Sequence, residues 1–148
     1  MPASPDDVII AQSGYTHPGF AERYERYRPQ PPVALVALLT QYAGVARPRL
    51  VVDLGSGTGL STFLWTEHAE TVVGVEPNPT MRQVAEERLG ARGLASVHFL
   101  DAYAQDTGLP AGTADIVTCS QAFHWMEPER TLAEVARLLR PGGVFAAY

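Results

Sequence analysis

Three short segments of the sequence carry residue types and spacings that could bind a small molecule. The first is the glycine-rich stretch DLGSGTG at residues 53–59. Glycines there let the backbone turn sharply and let a ligand approach where a Cβ would clash. The alternatives are an ordinary turn and a dinucleotide fingerprint, G-x-G-x-x-G. Counted from Gly55, the third glycine of that fingerprint would fall at Leu60, and Asp53 precedes the loop. This mismatch disfavours NAD and FAD.

The second and third segments are acidic. Glu76 lies 17 residues beyond Gly59, at the end of an apolar run. An acidic residue at such a strand end accepts hydrogen bonds from ribose hydroxyls, and its charge discourages a 2′-phosphate. Asp101 could accept a hydrogen bond from an adenine amino group while the N–H of Ala102 donates to a ring nitrogen. The alternatives are a solvated surface Glu and a loop Asp. Together the segments fit a nucleoside that has a ribose and an adenine but no pyrophosphate.

Strands and amphipathic helices alternate along the chain and must position these segments. Short apolar runs predict strands at residues 50–54, 71–76, 97–100, 115–119 and 144–148. Apolar residues at helical spacing predict helices over residues 33–42, 60–68, 81–89 and 132–139. Such alternation implies right-handed crossovers and a parallel sheet. We therefore predict an α/β fold, a doubly wound, Rossmann-like parallel sheet. The three segments then lie at the carboxyl ends of adjacent strands, where such sheets bind ligands.

Length and composition limit the function classes. With 148 residues, of which 46% are apolar, the chain is predicted to form one domain with a buried core. All 11 basic residues are Arg, which excludes a Schiff-base lysine and a P-loop lysine. The net charge of −5 argues against nucleic-acid and membrane partners. One cysteine, Cys119, and an acidic N-terminus predict a cytoplasmic protein, and the scattered His residues predict no metal site.

The sequence resembles the class I S-adenosylmethionine-dependent methyltransferases, and within them the type 11 small-molecule group. The resemblance covers about residues 21–148 and follows five motifs in order. These are VVDLGSGTG at 51–59, VEPN at 75–78 with Met81, Asp101 with Ala102, ADIV at 114–117 with SQAFHW at 120–125, and LLRPGG at 138–143. The resemblance implies a helical lid over residues 19–45 and a cofactor-binding core over residues 46–148. Residues 1–18 have no periodicity and are predicted to form a flexible arm.

By this resemblance the cofactor is S-adenosyl-L-methionine, with its methionine part at the glycine loop. Glu76 holds the ribose, Asp101 reads the adenine, and the N-terminal element folds over the cofactor as a lid. An exposed Arg/Tyr helix is the alternative for that element. Replacing Glu76 with alanine is expected to weaken cofactor binding and to leave the fold intact. The predicted cofactor residues are Tyr24, Arg28, Asp53, Gly55, Ser56, Gly57, Gly59, Glu76, Pro77, Met81, Asp101, Ala102 and Gln121.

The resemblance also places the segment FHW, residues 123–125, beside the transferable methyl group. His124 is the predicted catalytic residue, because a neutral imidazole can accept a proton from the acceptor. Phe123 and Trp125 are the predicted substrate contacts, since aromatic faces attract cations such as a sulfonium. The alternative is that the two aromatic rings pack in the core and His124 caps a turn.

These residues predict an enzyme that transfers a methyl group to an O, N or C atom of a small molecule. The methyl donor is already activated, so positioning and desolvation matter more than acid–base chemistry. The alternatives are a truncated or non-catalytic cofactor-binding domain and an NAD-dependent oxidoreductase. Because the chain ends in its fifth strand, we expect a truncated sheet with an open apolar edge. That edge is expected to be covered by the N-terminal arm or to self-associate.

Overall fold

The structure, a computed structural model, describes residues 17–148. Most of the predicted arm, residues 1–16, lies outside this range. The strands are β1 (Leu50–Leu54), β2 (Thr71–Val75), β3 (Val97–Leu100), β4 (Ala114–Cys119) and β5 (Leu139–Ala147). The helices are α1 (Phe20–Tyr27), α2 (Ala34–Ala43), α3 (Leu60–Leu64), α4 (Pro79–Arg92) and α5 (Pro128–Leu138), with a 3₁₀ turn at Phe123–Trp125. Within the described range, no helix is both long and apolar enough to cross a membrane.

The five strands form one parallel sheet in the order β3-β2-β1-β4-β5. The chain moves outward from β1 to β3 and then returns to place β4 on the other side of β1. Asp53 of β1 therefore pairs with Gly74 of β2 on one side and with Thr118 of β4 on the other. This reversal opens a crevice at the carboxyl ends of β1 and β4, the usual ligand position in such sheets. The predicted doubly wound parallel fold is confirmed.

Apolar side chains cover both faces of the sheet. Val51 and Val52 are neighbours in β1 and point to opposite faces. Val51 packs in a cluster that includes the fully buried Trp65 and the inner side of α2. Val52 packs in a second cluster that includes Leu138 of α5. Because both faces are buried, the strands read as continuous apolar runs rather than as alternating patterns.

The fifth strand begins at Leu139 instead of the predicted Val144. The PGG motif at residues 141–143 lies between the predicted helix and the predicted strand, but the chain is already paired with β4 before that motif. The ladder joins Ala114 to Leu139 and then Ile116 to Val144, so the four residues between them form a bulge. A Cβ on Gly143 would lie 3.0 Å from the carbonyl oxygen of Arg140 and 3.1 Å from that of Ala114, closer than most Cβ contacts, so this position favours glycine.

Two further expectations concern the ends of elements. The helix predicted over residues 60–68 is shorter in the structure. It ends at Leu64, and the chain then continues in turns. β5 lies at an edge of the sheet, and within residues 17–148 no strand pairs with its outer side. Self-association through this edge stays a prediction. The predicted cover by the arm falls on residues outside the described range.

Candidate functional site

The glycine loop between β1 and α3 adopts a backbone conformation that favours glycine. Gly55, Gly57 and Gly59 have φ angles of 64°, 56° and 90°. Two of them are also required for packing: a Cβ on Gly55 would lie 2.6 Å from that of Ala122, and one on Gly59 would lie 2.7 Å from an aromatic ring. A Cβ on Gly57 would meet Met81 at an ordinary 3.4 Å. Gly55 and Gly59 thus hold the loop against its neighbours, whereas Gly57 has space around it.

A cavity of about 170 Å³ lies beside this loop. Six of the predicted cofactor residues line it: Tyr24, Arg28, Gly55, Ser56, Gly57 and Gln121. The other lining residues are residues 29–32, Thr58, Leu60, Ser61, Ser120 and Tyr148. Typical small-molecule sites measure roughly 300–1,000 Å³. A cofactor with a nucleoside and an amino-acid part would therefore extend past this cavity along the strand ends.

Arg28, just after α1, joins the N-terminal element to the loop that follows β4. Its Nη2 donates to Oε1 of Gln121 at 3.0 Å and to the backbone oxygen of Gln121 at 3.3 Å. The Arg28 guanidinium also lies over the ring of Tyr24, 4.5 Å from its centre. Gln121 has a φ of 50°, a strained value for a residue with a side chain, and strain of this kind clusters at ligand sites. The structure thus brings Tyr24, Arg28 and Gln121 together at the glycine loop.

Two buried hydroxyl groups at the cavity lack partners. Ser56 is 7% exposed and Thr58 is 1% exposed, and both residues line the cavity. Neither hydroxyl oxygen has a hydrogen-bond partner in the described part of the chain. An unpaired buried polar group costs about 1–3 kcal/mol. These oxygens are closed off from solvent, and a Cβ on Gly74 of β2 would lie 2.9 Å from the hydroxyl oxygen of Ser56, so this hydroxyl faces the sheet. The lining group that fits the amino-acid part of S-adenosylmethionine is the Arg28 guanidinium, which matches a carboxylate.

Glu76 connects the end of β2 to the glycine loop. Its side chain is buried, and Oε2 accepts a hydrogen bond from the N–H of Gly57 at 2.8 Å while Oε1 accepts from the N–H of Asn78 at 2.9 Å. Burial raises the pKa of this carboxyl, and the two backbone donors oppose that rise. Each carboxylate oxygen keeps a second acceptor site, so ribose hydroxyls can still bind. Glu76 therefore organises the loop in addition to its predicted role.

The predicted adenine residues lie next to Glu76 on the sheet edge, outside the cavity lining. Met81 is buried on α4 close to Gly57. Asp101 is exposed just beyond β3 and is 3.0 Å from Nη2 of Arg82. Pro77 and Ala102 are half-buried beside these carboxylates. The nucleoside residues and the cavity thus form one continuous row along the ends of β1, β2 and β3, linked by the hydrogen bond between Gly57 and Glu76.

Asp53 is fully buried and does not line the cavity. Its Oδ2 accepts from the hydroxyl of Thr62 at 2.7 Å, and its Oδ1 accepts from the hydroxyl of Thr118 at 2.8 Å. Burial raises its pKa from 3.8 to about 6, although these hydrogen bonds act in the opposite direction. The carboxylate therefore ties β1 to β4 and α3 inside the fold. Its predicted contact with the cofactor stays a prediction.

The FHW segment forms the 3₁₀ turn, and none of its residues lines the cavity. Phe123 is half-buried against the core, with its ring centre 6.2 Å from that of Phe145. His124 and Trp125 are exposed, and their ring centres are 4.9 Å apart. Phe123 thus packs against the core, as the alternative interpretation predicts. Substrate contact by Phe123 and Trp125, and proton transfer by His124, stay predictions.

Sequence reasoning missed Ser61 and Tyr148. Both line the cavity, and their hydroxyl oxygens are 2.8 Å apart. Burial raises the pKa of Tyr148 to about 12, so the phenol stays protonated near neutral pH. The available signal was its position: Tyr148 follows the apolar run of β5, and the carboxyl end of that strand adjoins the end of β4.

Comparison with known proteins identifies the family of the chain. Residues 52–147 match the family described as the methyltransferase domain. The chain therefore belongs to this family, and its sequence and fold are those of the class I S-adenosylmethionine-dependent methyltransferases.

Three relatives illustrate the match. A Saccharomyces cerevisiae protein named as a probable S-adenosylmethionine-dependent methyltransferase, CRG1, is 30% identical over 142 residues, which are 94% of this chain and 48% of that protein. The uncharacterized methyltransferase Rv3342 of Mycobacterium tuberculosis is 40% identical over 121 residues, covering 81% of this chain and 46% of that protein. A solved structure from Anaeromyxobacter dehalogenans, provisionally assigned as a type II methyltransferase, is 34% identical with a TM-score of 0.70, covering 82% of this chain and 48% of that one. The chain spans about half the length of the curated relatives it matches.

Proposed function

We propose that this chain binds S-adenosyl-L-methionine and supports transfer of its methyl group to an O, N or C atom of a small molecule. The observation that carries the proposal is the cavity beside the glycine loop, which six of the predicted cofactor residues line, Arg28 among them. When bound, the sulfonium supplies a methyl group that is already activated for displacement. What the protein must add is orientation and exclusion of water.

Two groups of residues would bind different parts of the cofactor. In the cavity, Arg28 offers a guanidinium that matches an α-carboxylate. At the strand ends, Glu76 accepts from the ribose hydroxyls, while Asp101 and the N–H of Ala102 recognise the adenine. This division explains why the cavity alone is smaller than a complete cofactor site.

The acceptor side depends on residues near the end of β4. Tyr148 lines the cavity beside this end, and an aromatic face there would attract a sulfonium. His124 follows Gln121 by three residues and is exposed to solvent, where it can take a proton from an acceptor that arrives protonated. An acceptor with an available lone pair needs no base.

Calorimetric titration with S-adenosylhomocysteine and with NAD tests the proposal. We expect binding of the first and no binding of the second. Arg28→Met should weaken S-adenosylhomocysteine binding by about tenfold or more, because a charge-assisted hydrogen bond is lost. Arg130→Met is the matched control, since Arg130 pairs with Glu127 on an exposed part of α5, away from the cavity.

A panel of small O-, N- and C-nucleophiles with S-adenosylmethionine then tests transfer. Methylated product supports the enzyme. Binding without product from any acceptor class supports the cofactor-binding domain instead, and NAD binding without S-adenosylhomocysteine binding refutes both.

A further inference from the structure

Arg82 bridges the ends of β2 and β3. It lies in the first turn of α4, which Asn78 caps by accepting from the N–H groups of Thr80 and Met81. Nη1 of Arg82 donates to the backbone oxygen of Glu76 at 2.7 Å, and Nη2 lies 3.0 Å from Oδ2 of Asp101. The Arg82 side chain is only 14% exposed, so its guanidinium is held in place by its surroundings.

The two carboxylates beside Arg82 occupy equivalent positions on neighbouring strands. Val75 pairs with Leu100, so Glu76 and Asp101 are each the next residue after the ladder ends. Arg82 therefore joins the two strand ends by contacting the backbone oxygen of Glu76 on one side and the carboxylate of Asp101 on the other.

Asp101 depends on this contact more than Glu76 does. Glu76 is buried and accepts from two backbone N–H groups, whereas the side chain of Asp101 is 70% exposed. An exposed aspartate samples several rotamers, and the ion pair with Arg82 selects one of them. The contact uses Oδ2, which leaves Oδ1 to accept a hydrogen bond from a ligand.

We infer that Arg82 is a specificity-determining positioning residue, which orients Asp101 so that the site selects a purine bearing an amino group over one bearing a carbonyl. This inference rests on the proposed function. An oriented carboxylate accepts a hydrogen bond from the amino group of adenine and repels the carbonyl oxygen of hypoxanthine. Without Arg82 the carboxylate rotates away, and both the attraction and the repulsion weaken.

The test compares the affinities of S-adenosylhomocysteine and S-inosylhomocysteine by calorimetry. Wild type should prefer the adenosyl ligand, and Arg82→Met should reduce this preference by about tenfold. The preference of Arg82→Lys should lie between those of wild type and Arg82→Met, because an ammonium is a compact charge that cannot bind both partners as a guanidinium does. Arg130→Met should leave the preference unchanged.

A double mutant separates positioning from simple structural support. If Arg82 acts through Asp101, then Arg82→Met should change the preference little once Asp101→Asn is present. Equal weakening of both ligands by Arg82→Met would overturn the inference, as would full additivity in the double mutant or equal binding of both ligands by wild type. Failure of wild type to bind S-adenosylhomocysteine at all would instead refute the proposed function.

Discussion

Replacing Glu76 tests whether this carboxylate holds the glycine loop as well as the cofactor. From the sequence alone, Glu76→Ala is expected to leave the fold intact. The structure changes that expectation, because the N–H groups of Gly57 and Asn78 both donate to this buried carboxylate at 2.8 and 2.9 Å. Alanine would leave two donors without a protein partner.

The size of the effect follows from these two contacts. A hydrogen bond to a charged group contributes about 1.5–3 kcal/mol. Water that enters the space left by the side chain recovers part of this, so we expect the free energy of unfolding to fall by about 2–4 kcal/mol. The free energy of unfolding of Glu76→Gln should lie between those of Glu76→Ala and wild type, because the amide oxygen still accepts one hydrogen bond while the NH₂ group faces the other donor.

Two measurements on the same variants separate stability from binding. Urea unfolding followed by circular dichroism gives the free energy of unfolding, and calorimetry below the transition gives the affinity for S-adenosylhomocysteine. Glu76→Ala should weaken this affinity on the order of 100-fold or more, through lost hydrogen bonds to ribose. Glu87→Ala is the control, since Glu87 is exposed on α4 and bonds only to the side chain of Gln83 within the described residues.

The reasoning is refuted if Glu76→Ala unfolds within about 0.5 kcal/mol of wild type, the range of an ordinary surface change. An unchanged affinity in that folded variant would remove Glu76 from the ribose site as well.

Three further changes have defined outcomes. His124→Ala should lower turnover by about 10²–10⁴-fold and S-adenosylhomocysteine affinity much less; equal losses would place His124 at the cofactor. Gly57→Val should abolish measurable cofactor binding, whereas Gly93→Val, with a similar φ of 63° at the end of α4, should cost stability without loss of binding. Burial raises the pKa of Asp53 from 3.8 to about 6. Its contribution to the free energy of unfolding is therefore complete below pH 3.8 and is lost as the pH rises through about 6. Asp53→Asn should remove up to about 3 kcal/mol of this pH dependence, measured as the change in unfolding free energy between acid and neutral pH; an unchanged dependence would contradict the assignment.

Much of the fold can be predicted from the sequence because burial leaves a local pattern. Strands such as Thr71–Val75 are largely apolar runs, since both faces of a parallel sheet are covered. Helix α4 begins after Asn78 and ends before Gly93, residues whose capping chemistry is readable in the sequence. The bulge in β5 was not predicted, because a PGG motif has the same composition whether it ends a helix or bends a strand.

The candidate site, like the fold, could be predicted from the sequence only in part. The sequence determined the glycine loop and the acidic residues Glu76 and Asp101, because each follows its own strand and carboxyl ends of parallel strands share one edge. Only the tertiary structure decided which groups meet there: Arg28 reaches Gln121 across 93 residues, and Tyr148 reaches Ser61 across 87. It also decided that Asp53 is buried and that both oxygens of Glu76 already accept hydrogen bonds. Hydropathy records whether a residue is buried, but side-chain partners depend on strand order and on distances that exist only after the chain has folded.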